Sequence, residues 1–265
     1  MTTDYSKIDK LKNILSEMGG VLIAYSGGVD STLLVKIAYD VLVDRVLAVT
    51  ARSPLYPTSE IESAKAMAKK LGIKHLIIDS DELKIPDFAD NPRNRCYLCK
   101  RELFNQLCQI AKEYGLPYIL DGSNVDDISD FRPGREAIKE SGGRSLLEEV
   151  GLTKNEIREI SKMMGLPTFD KPSMACLASR FPYGMRITPH ALKIVESAEE
   201  FIKGFGISVV RIRHYGNYCR IEVLEEEIPL LLKRQKEIVA NLKKLGYTYI
   251  SIDLEGYRTG SMNEA

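Results

Sequence analysis

Short apolar runs alternate with longer amphipathic stretches along the first two thirds of the chain. The apolar runs are rich in Val, Ile and Leu, which is typical of strands buried on both faces of a sheet. They occupy residues 21–25, 45–50, 75–79 and 118–121. Amphipathic stretches end at Gly72, Gly115 and Gly165, as helices do when the next residue adopts a left-handed conformation. This alternation predicts an α/β domain, a doubly wound parallel sheet with right-handed crossovers, over residues 1–170.

The pattern changes near residues 171–172, where a second, smaller domain is predicted to begin. A helix is expected to start at Thr188-Pro189, because threonine is a good N-cap and proline suits the first helical position. Two strands, a long helix and a last strand follow at residues 207–213, 218–224, 225–245 and 247–254. Consecutive strands with flanking helices predict an α+β fold for residues 171–265, with Cys176 in the junction loop.

Composition and charge narrow the class of protein. The chain has 265 residues with 37 Lys+Arg and 37 Asp+Glu, and this zero net charge argues against a nucleic-acid-binding protein. Charged residues make up 28% and hydrophobic residues 44%, as in soluble globular proteins, and no apolar run is long enough to span a membrane. Residues 1–12 are polar, unlike a signal peptide, and five cysteines without such a leader indicate the reducing cytoplasm. We therefore expect a cytoplasmic enzyme.

The first apolar run leads directly into the segment SGGVDS at residues 26–31, just before a predicted helix. Glycines let the backbone turn tightly around a ligand, and a helix N-terminus presents N–H groups to an anion. A Walker loop would carry a lysine here, and none occurs, so ordinary γ-phosphate transfer is not indicated. The alternative is a serine-rich turn without a ligand.

This segment resembles the PP-loop of the ATP pyrophosphatases, whose pattern is Ser-Gly-Gly-x-Asp-Ser. The resemblance implies that the chain binds ATP with Mg²⁺, adenylates an oxygen of its substrate and releases pyrophosphate. The residues implied to hold ATP are Ala24, Ser26, Gly27, Gly28, Asp30, Ser31, Ala51, Ser53, Gly122 and Asn124. The superfamily includes amidotransferase synthetases and tRNA thiolases, so the loop identifies the activation step only.

Three of the five cysteines are candidates for chemistry. Cys96 and Cys99 come just before a predicted amphipathic helix over residues 100–114, where the helix N-terminus and neighbouring basic side chains favour the thiolate. Cys176 lies close to Arg180, and an exposed thiolate beside a guanidinium is expected of a reactive cysteine.

The other two cysteines, Cys108 and Cys219, fall on an apolar helix face and an apolar strand face, and both are predicted to be core residues. The three candidates could together hold a [4Fe–4S] cluster with one iron that lacks a protein ligand. Zinc is the competing use, although it takes four ligands and no histidine is near either cysteine group. A redox or structural pair at the two closely spaced cysteines is a further alternative.

Additional segments carry a more specific resemblance. They are residues 121–127, 132–135, 171–184 and 253–261. Over most of its length the chain is similar to the LarE family, ATP-dependent sulfur transferases that build the nickel-pincer nucleotide cofactor of lactate racemase. The resemblance implies that the substrate is pyridinium-3,5-biscarboxylic acid mononucleotide, a small nucleotide whose carboxylates are adenylated before sulfur replaces AMP to give thiocarboxylates.

Two branches of this family differ in the source of the sulfur. One sacrifices the sulfur of a cysteine that matches Cys176 and leaves dehydroalanine, whereas the other carries two further cysteines and delivers sulfur through a cluster. With Cys96 and Cys99, the chain resembles the cluster-bearing branch, in which Cys176 is the third iron ligand. The alternatives are sulfur transfer from Cys176 itself, a cluster-dependent tRNA thiolase, and a non-catalytic metal sensor. Relatives form homo-oligomers, and the sequence does not identify the sulfur donor.

A hairpin in the second domain is predicted to bring charged residues to one face. With its turn at residues 216–217, Arg213 lies opposite Arg220 and Arg211 lies opposite Glu222. Opposed like charges destabilise a hairpin, so the two arginines predict a bound anion such as a substrate phosphate. A solvated charged face is the alternative.

The family resemblance adds roles to several of these residues. Those implied to take part in catalysis are Cys96, Cys99, Cys176, Arg180, Arg211 and Arg213. Glu200 and Glu222 are expected as acidic residues near the active-site pocket that the resemblance implies.

Overall fold

The computed structural model describes residues 5–128, 133–172 and 175–263. Arg132, Ser173 and Met174, which belong to segments of the family resemblance, lie outside the described residues. The chain divides into two compact units, Met1–Ile85 with Asn94–Met174, and Pro86–Arg93 with Ala175–Ala265. The predicted boundary after residue 170 assigns residues 86–93 to the first domain, whereas in the structure they belong to the second unit. Among the described helices, none has both the length and the apolar character needed to cross a membrane.

The first unit is built on a parallel sheet of four strands. These are β1 (Val21–Ala24), β2 (Val46–Arg52), β3 (His75–Asp79) and β4 (Tyr118–Leu120). Their order is β3-β2-β1-β4, and each neighbouring pair is parallel. The predicted α/β class with a parallel sheet is confirmed, and each strand coincides with one of the predicted apolar runs.

Helices cover both faces of this sheet. They are α1 (Tyr5–Met18), α2 (Val29–Leu42), α3 (Thr58–Lys70), α4 (Arg95–Glu113), α5 (Gly134–Glu140), α6 (Leu146–Glu149) and α7 (Lys154–Met163). Successive strand residues point to opposite faces. Val21 and Ile23 therefore pack in a cluster with α1, α2 and α7, whereas Leu22 packs with Phe104 and Leu107 of α4. This two-sided cover is the doubly wound arrangement.

The second unit contains a smaller sheet of three strands. Its elements are α8 (Pro189–Lys203), β5 (Val210–Tyr215), β6 (Tyr218–Val223), α9 (Ile228–Lys233), α10 (Gln235–Lys244) and β7 (Tyr249–Ile252). Strand β6 is central, antiparallel to β5 and parallel to β7. As predicted, α8 follows Thr188, whose Oγ1 accepts a hydrogen bond from the N–H of Ala191 at 3.1 Å. The predicted smaller α+β fold at the C-terminal end is confirmed.

The prediction of one long helix over residues 225–245 is wrong. A 3₁₀ turn at Glu225–Glu227 precedes α9, and α9 and α10 are separated at Arg234. Pro229 lies in the first turn of α9, and because proline is tolerated only there, an α-helix cannot extend back to residue 225.

Strands β5 and β7 are shorter than predicted. The N–H groups of Ser208 and Val209 donate to the carboxylate of Glu227 instead of joining the sheet, so β5 begins at Val210. After β7, Asp253 Oδ1 accepts a hydrogen bond from a backbone N–H two residues further on, at 3.0 Å, and this turn ends the strand.

Candidate active site

The carboxyl ends of β1 and β4 meet where the strand order reverses. From β1 the chain proceeds to β2 and β3 on one side, and β4 then pairs with the other side of β1. Open α/β sheets bind ligands in the crevice outside such a switch point. The loops after these two strands, residues 25–28 and 121–124, both contain predicted ATP-binding residues. The topology therefore places two predicted segments at one edge of the sheet.

Hydrogen bonds within residues 26–31 close the loop at the N-terminus of α2. The hydroxyl oxygens of Ser26 and Ser31 are 3.1 Å apart, and Ser26 Oγ accepts a hydrogen bond from the N–H of Gly28 at 3.3 Å. Gly28 is the N-cap of α2 and makes no side-chain bond to the amides of the first turn. These amides, together with the exposed Ser26, can bind an anion such as a nucleotide phosphate.

Two glycines let other backbone segments approach this loop. Gly27 has φ +70°, and a Cβ at that position would lie 2.8 Å from the Cβ of Ala64 in α3. At Gly122, after β4, a Cβ would lie 3.1 Å from the backbone nitrogen of Ser31. The loop is therefore enclosed by α3 on one side and by residues 121–124 on another.

Asp30 connects the two predicted loops directly. Its Oδ1 accepts a hydrogen bond from Asn124 Nδ2 at 3.1 Å, and its carboxylate forms an ion pair with Lys154 at the start of α7. A carboxylate in the first turn of a helix is also stabilised by the helix dipole. Two residues predicted to hold ATP, separated widely in sequence, are thus in contact.

The remaining predicted ATP-binding residues lie at the ends of β1 and β2. Ala24 is the last residue of β1, Ala51 lies in β2, and Ser53 is the first residue after β2. Ser53 Oγ donates a hydrogen bond to the carboxylate of Glu82, which also accepts one from Ser80 Oγ at 2.9 Å. Glu82 is only 2% exposed. Sequence reasoning missed this buried carboxylate, which holds Ser53 in place.

Two lysines outside the motif also reach the loop. Lys171 Nζ donates to the carbonyl oxygen of Gly27 at 3.1 Å, and Lys154 forms the ion pair with Asp30. Sequence reasoning missed both lysines. They could not be found from the motif, because residues 26–31 contain no lysine and Lys171 is 144 positions away from Gly27 in the sequence.

Cys96 and Cys99 lie inside α4, which begins earlier than the predicted start at residue 100. They are three residues apart in the first two turns, and therefore on the same side of the helix. Cys96 is exposed and Cys99 is half-buried.

The two cysteines predicted to be core residues differ in burial. Cys219 is fully buried, and burial raises the pKa of its thiol to about 12. Its core prediction is confirmed. Cys108 is half-buried, packs against the α4 side of the first unit's core, and has its Sγ 3.8 Å from the carbonyl oxygen of Ser141.

The surroundings of Cys176 differ from the prediction of an exposed thiolate beside an available guanidinium. Cys176 is half-buried, and Arg180 is fully buried. The Arg180 guanidinium donates to both carboxylate oxygens of Glu199, at 2.8 and 3.0 Å, and to the carbonyl oxygens of Ala175 and Cys176. Arg180 therefore binds the backbone around Cys176, and its own guanidinium is fixed by the ion pair with Glu199.

The buried acidic residue of α8 is Glu199, whereas Glu200 is exposed. Glu199 belongs to the buried stripe of this helix with Leu192, Val195 and Ile202. That i, i+3, i+4 spacing is visible in the sequence and was the signal that could have identified it. Sequence reasoning named Glu200 and missed Glu199, and Glu199 is the acidic residue of α8 that pairs with a buried arginine.

The hairpin of β5 and β6 has the predicted register, with Arg213 opposite Arg220 and Arg211 opposite Glu222. The chain itself supplies the anion that the opposed arginines need. Glu222 is fully buried and accepts hydrogen bonds from Arg213 at 2.6 Å and from Arg220 at 2.8 Å. The opposed arginines thus do not require a substrate phosphate.

Arg211 and Arg213 are both buried but have different surroundings. Arg213 also donates to the carbonyl oxygen of Ser179 at 3.0 Å, and so binds the same turn as Arg180. Arg211 donates to the carbonyl oxygen of Val210 at 2.9 Å, and its guanidinium lies 5.0 Å from the centre of the Tyr257 ring. Burial, and secondly the charge of Arg180, lowers the pKa of Arg211.

The three candidate cluster ligands have suitable chemistry, since thiolates are the usual ligands of iron–sulfur clusters. Cys96 and Cys99 belong to the first unit and Cys176 to the second. Among the residues that the structure describes, no three His, Cys, Asp or Glu side chains are grouped to hold a metal ion. The [4Fe–4S] cluster therefore remains a prediction from the sequence.

Several known proteins are similar to this chain along nearly its whole length. A family model described as NAD synthase matches residues 6–90, which include the loop of residues 26–31. The uncharacterized protein slr1717 of Synechocystis sp. is 44% identical over 260 residues, 97% of each chain. The uncharacterized protein MJ0830 of Methanocaldococcus jannaschii is 31% identical over 256 residues, 96% of this chain and 98% of that one. The pyridinium-3,5-bisthiocarboxylic acid mononucleotide synthase of Lactiplantibacillus plantarum is 35% identical over 265 residues, 100% of this chain and 96% of that enzyme.

Proposed function

The chain belongs to the LarE family of pyridinium-3,5-bisthiocarboxylic acid mononucleotide synthases, and on that basis we propose that it uses ATP to convert pyridinium-3,5-biscarboxylic acid mononucleotide to thiocarboxylates. The observation that carries this proposal is the loop of residues 26–31, closed by the contact of Ser26 with Ser31 at the switch point of the sheet. The loop supports ATP binding, because amides at a helix N-terminus bind phosphate. The name of the Lactiplantibacillus plantarum relative supports a thiocarboxylate product.

In the proposed activation step, a carboxylate oxygen of the substrate attacks the α-phosphorus of ATP, and pyrophosphate leaves. The amides of the first turn of α2 and the hydroxyl groups of Ser26 and Ser31 stabilise the charge that develops on the pyrophosphate. Mg²⁺ on the phosphates supplies further charge stabilisation when it is bound. Asp30 is the loop carboxylate that would hold it, since magnesium commonly takes one or two carboxylates together with substrate phosphates.

Release of pyrophosphate from Mg-ATP tests the activation step. We expect pyrophosphate in the presence of the biscarboxylic acid mononucleotide and little in its absence. Ser31→Ala removes one hydroxyl donor and is expected to lower the rate by about 10²-fold. Ser59→Ala, an exposed serine outside the loop, is the control and should leave the rate unchanged. Pyrophosphate release that is independent of the mononucleotide would contradict the proposed substrate.

For the sulfur step, we propose a [4Fe–4S] cluster with Cys96, Cys99 and Cys176 as ligands, and sacrifice of the Cys176 sulfur is the alternative. Protein purified without oxygen is analysed for iron, sulfide and zinc. About four iron and four sulfide per chain support the cluster, if each Cys→Ala change at these positions removes them and Cys108→Ala does not. Metal-free protein with dehydroalanine at Cys176 after turnover favours the sacrificial route, and stoichiometric zinc contradicts both.

A further inference from the structure

An ammonium group lies at the loop of residues 26–31, although the loop itself contains no lysine. Lys171 Nζ donates to the carbonyl oxygen of Gly27 at 3.1 Å and forms an ion pair with Glu60 of α3 at 2.7 Å. Its side chain is 18% exposed, so the charge is partly shielded from solvent. In Walker loops the lysine that contacts the β- and γ-phosphates is part of the motif. Here the fold brings a lysine to the loop from elsewhere in the chain.

The backbone of Lys171 is held in place by α7. Arg158 Nη1 donates to the carbonyl oxygen of Phe169 at 2.7 Å, and its Nη2 donates to that of Lys171 at 2.9 Å. Lys171 is thus bound at its backbone by one helix and at its ammonium by the loop and α3. Because these contacts already restrict the side chain, little further entropy is lost when the ammonium binds a ligand.

We propose that Lys171 is a catalytic residue of the adenylation step, in which its ammonium binds the β- and γ-phosphates of ATP and stabilises the departing pyrophosphate. This inference rests on the proposed function. A bond forms between the substrate carboxylate oxygen and the α-phosphorus, and the bond between that phosphorus and the bridging oxygen of the β-phosphate breaks. The electron pair stays on pyrophosphate. Lys171 keeps its proton and acts as a fixed positive charge, so the step needs no further reactant.

Glu60 is the counterion of the Lys171 ammonium in the structure. Its side chain is 23% exposed, and a triphosphate carries several negative charges, so ATP competes effectively with this single carboxylate for Lys171. Lys171 therefore exchanges Glu60 for phosphate when ATP binds. Removal of this competing charge by Glu60→Gln is expected to tighten pyrophosphate binding.

Substitutions of Lys171 test the proposal, with Lys7→Met as a matched control. Lys7 also joins a glycine carbonyl to a glutamate in the first unit, with Nζ 2.8 Å from the carbonyl oxygen of Gly151 and 2.6 Å from Glu156. We expect Lys171→Met to lower mononucleotide-dependent pyrophosphate release by on the order of 10²-fold, with a smaller loss for Lys171→Arg. Lys7→Met should retain the native rate. Calorimetry should show that Lys171→Met binds inorganic pyrophosphate about tenfold more weakly, with AMP binding unchanged.

Two results would overturn the role of Lys171. One is an equal loss of activity in Lys171→Met and Lys7→Met, with an equal loss of thermal stability. The other is a parallel loss of AMP and pyrophosphate binding in Lys171→Met, which indicates general damage to the site. Failure of the proposed function can be distinguished from failure of the proposed role of Lys171. If native protein releases no pyrophosphate with the mononucleotide, the proposed substrate is wrong, and pyrophosphate binding by the native and Lys171→Met proteins still decides the role of Lys171.

Discussion

At the scale of single residues, Arg180 and Glu199 form the most deeply buried ion pair described in the second unit. Their side chains are 0% and 3% exposed. Glu199 Oε1 also accepts a hydrogen bond from the N–H of Ile212 at 3.0 Å, so the pair connects α8 with β5 and with the turn after Cys176. Burial removes both charges from water, and each depends on the other for compensation.

Loss of one partner of this pair should strongly destabilise the protein. We expect Glu199→Gln to lower the free energy of unfolding by about 3–5 kcal/mol, because it leaves Arg180 charged and buried without its counterion. Glu200→Gln is the matched control on the next position of α8, where the exposed side chain should change stability by less than about 0.5 kcal/mol. Urea denaturation measures both. Similar values for the two variants would contradict the structural role of Glu199.

The same pair predicts a dependence of stability on pH. Burial alone would raise the pKa of Glu199, but the charge and hydrogen bonds of Arg180, with the N–H of Ile212, hold it below the ordinary value of 4.5. Glu199 therefore contributes stability above pH 4.5, and this contribution is lost as the pH falls through the folded pKa. The difference in unfolding free energy between native and Glu199→Gln protein should shrink below pH 4.5 and stay constant above it. A difference that grows on acidification would contradict this assignment.

At the scale of elements, the packing of α3 against the loop before α2 depends on a glycine. Gly27 combines a φ of +70° with a distance of only 2.9 Å between a Cβ built on it and the α-carbon of Ala64. The backbones of the two elements approach so closely that no side chain fits between them. This packing also places Glu60, at the start of α3, beside Lys171.

Gly27→Ala should therefore destabilise the first unit by more than the roughly 1–2 kcal/mol that a left-handed conformation costs an L-residue. Gly28→Ala is the control, since Gly28 has φ −79° and its nearest neighbour to a Cβ is the Ser26 hydroxyl at 3.3 Å. Thermal unfolding compares them. The addition of Ala64→Gly to Gly27→Ala should recover part of the loss, because it removes the clash with the Ala64 methyl group and leaves the clash with the α3 backbone. Equal effects at the two glycines would argue against the close packing.

At the scale of the whole molecule, opposite charges balance, with 37 basic and 37 acidic residues. Many of these charges pair with each other inside the units; Arg213 and Arg220 of the hairpin, for example, both pair with Glu222. Binding of a tRNA backbone draws its affinity from unpaired basic side chains that displace counterions. The charge balance therefore favours a small nucleotide substrate over tRNA.

Binding of tRNA should accordingly be weak and insensitive to salt. Fluorescence anisotropy with labelled tRNA, at about 50 and 200 mM salt, separates the two candidate substrates, because a protein with six or more phosphate contacts loses about 10³-fold or more in affinity over this range. We expect no such loss. Tight binding at low salt that weakens steeply at high salt would revive the tRNA thiolase, and competition by the mononucleotide would locate that binding at the same site.

Much of the fold follows from local sequence. The apolar runs predicted four parallel strands, and alternation with the turn at residues 216–217 predicted the hairpin register, since both depend on neighbours close in the chain. The burial of Cys219 follows from the same alternation. The prediction of one long helix was wrong because it did not take account of Pro229, which is a local signal for the start of a helix.

By itself, the sequence determined the strands, the glycine–serine loop and the family, because these are carried by periodicity and by residues adjacent in the chain. Only the tertiary structure decided which distant side chains meet them: Lys171 at Gly27, Glu82 at Ser53 and Glu199 at Arg180. A charged side chain gives no sign of its partner in a local pattern. The partner is selected when folding removes both groups from water and leaves one geometry in which their charges and hydrogen bonds are satisfied.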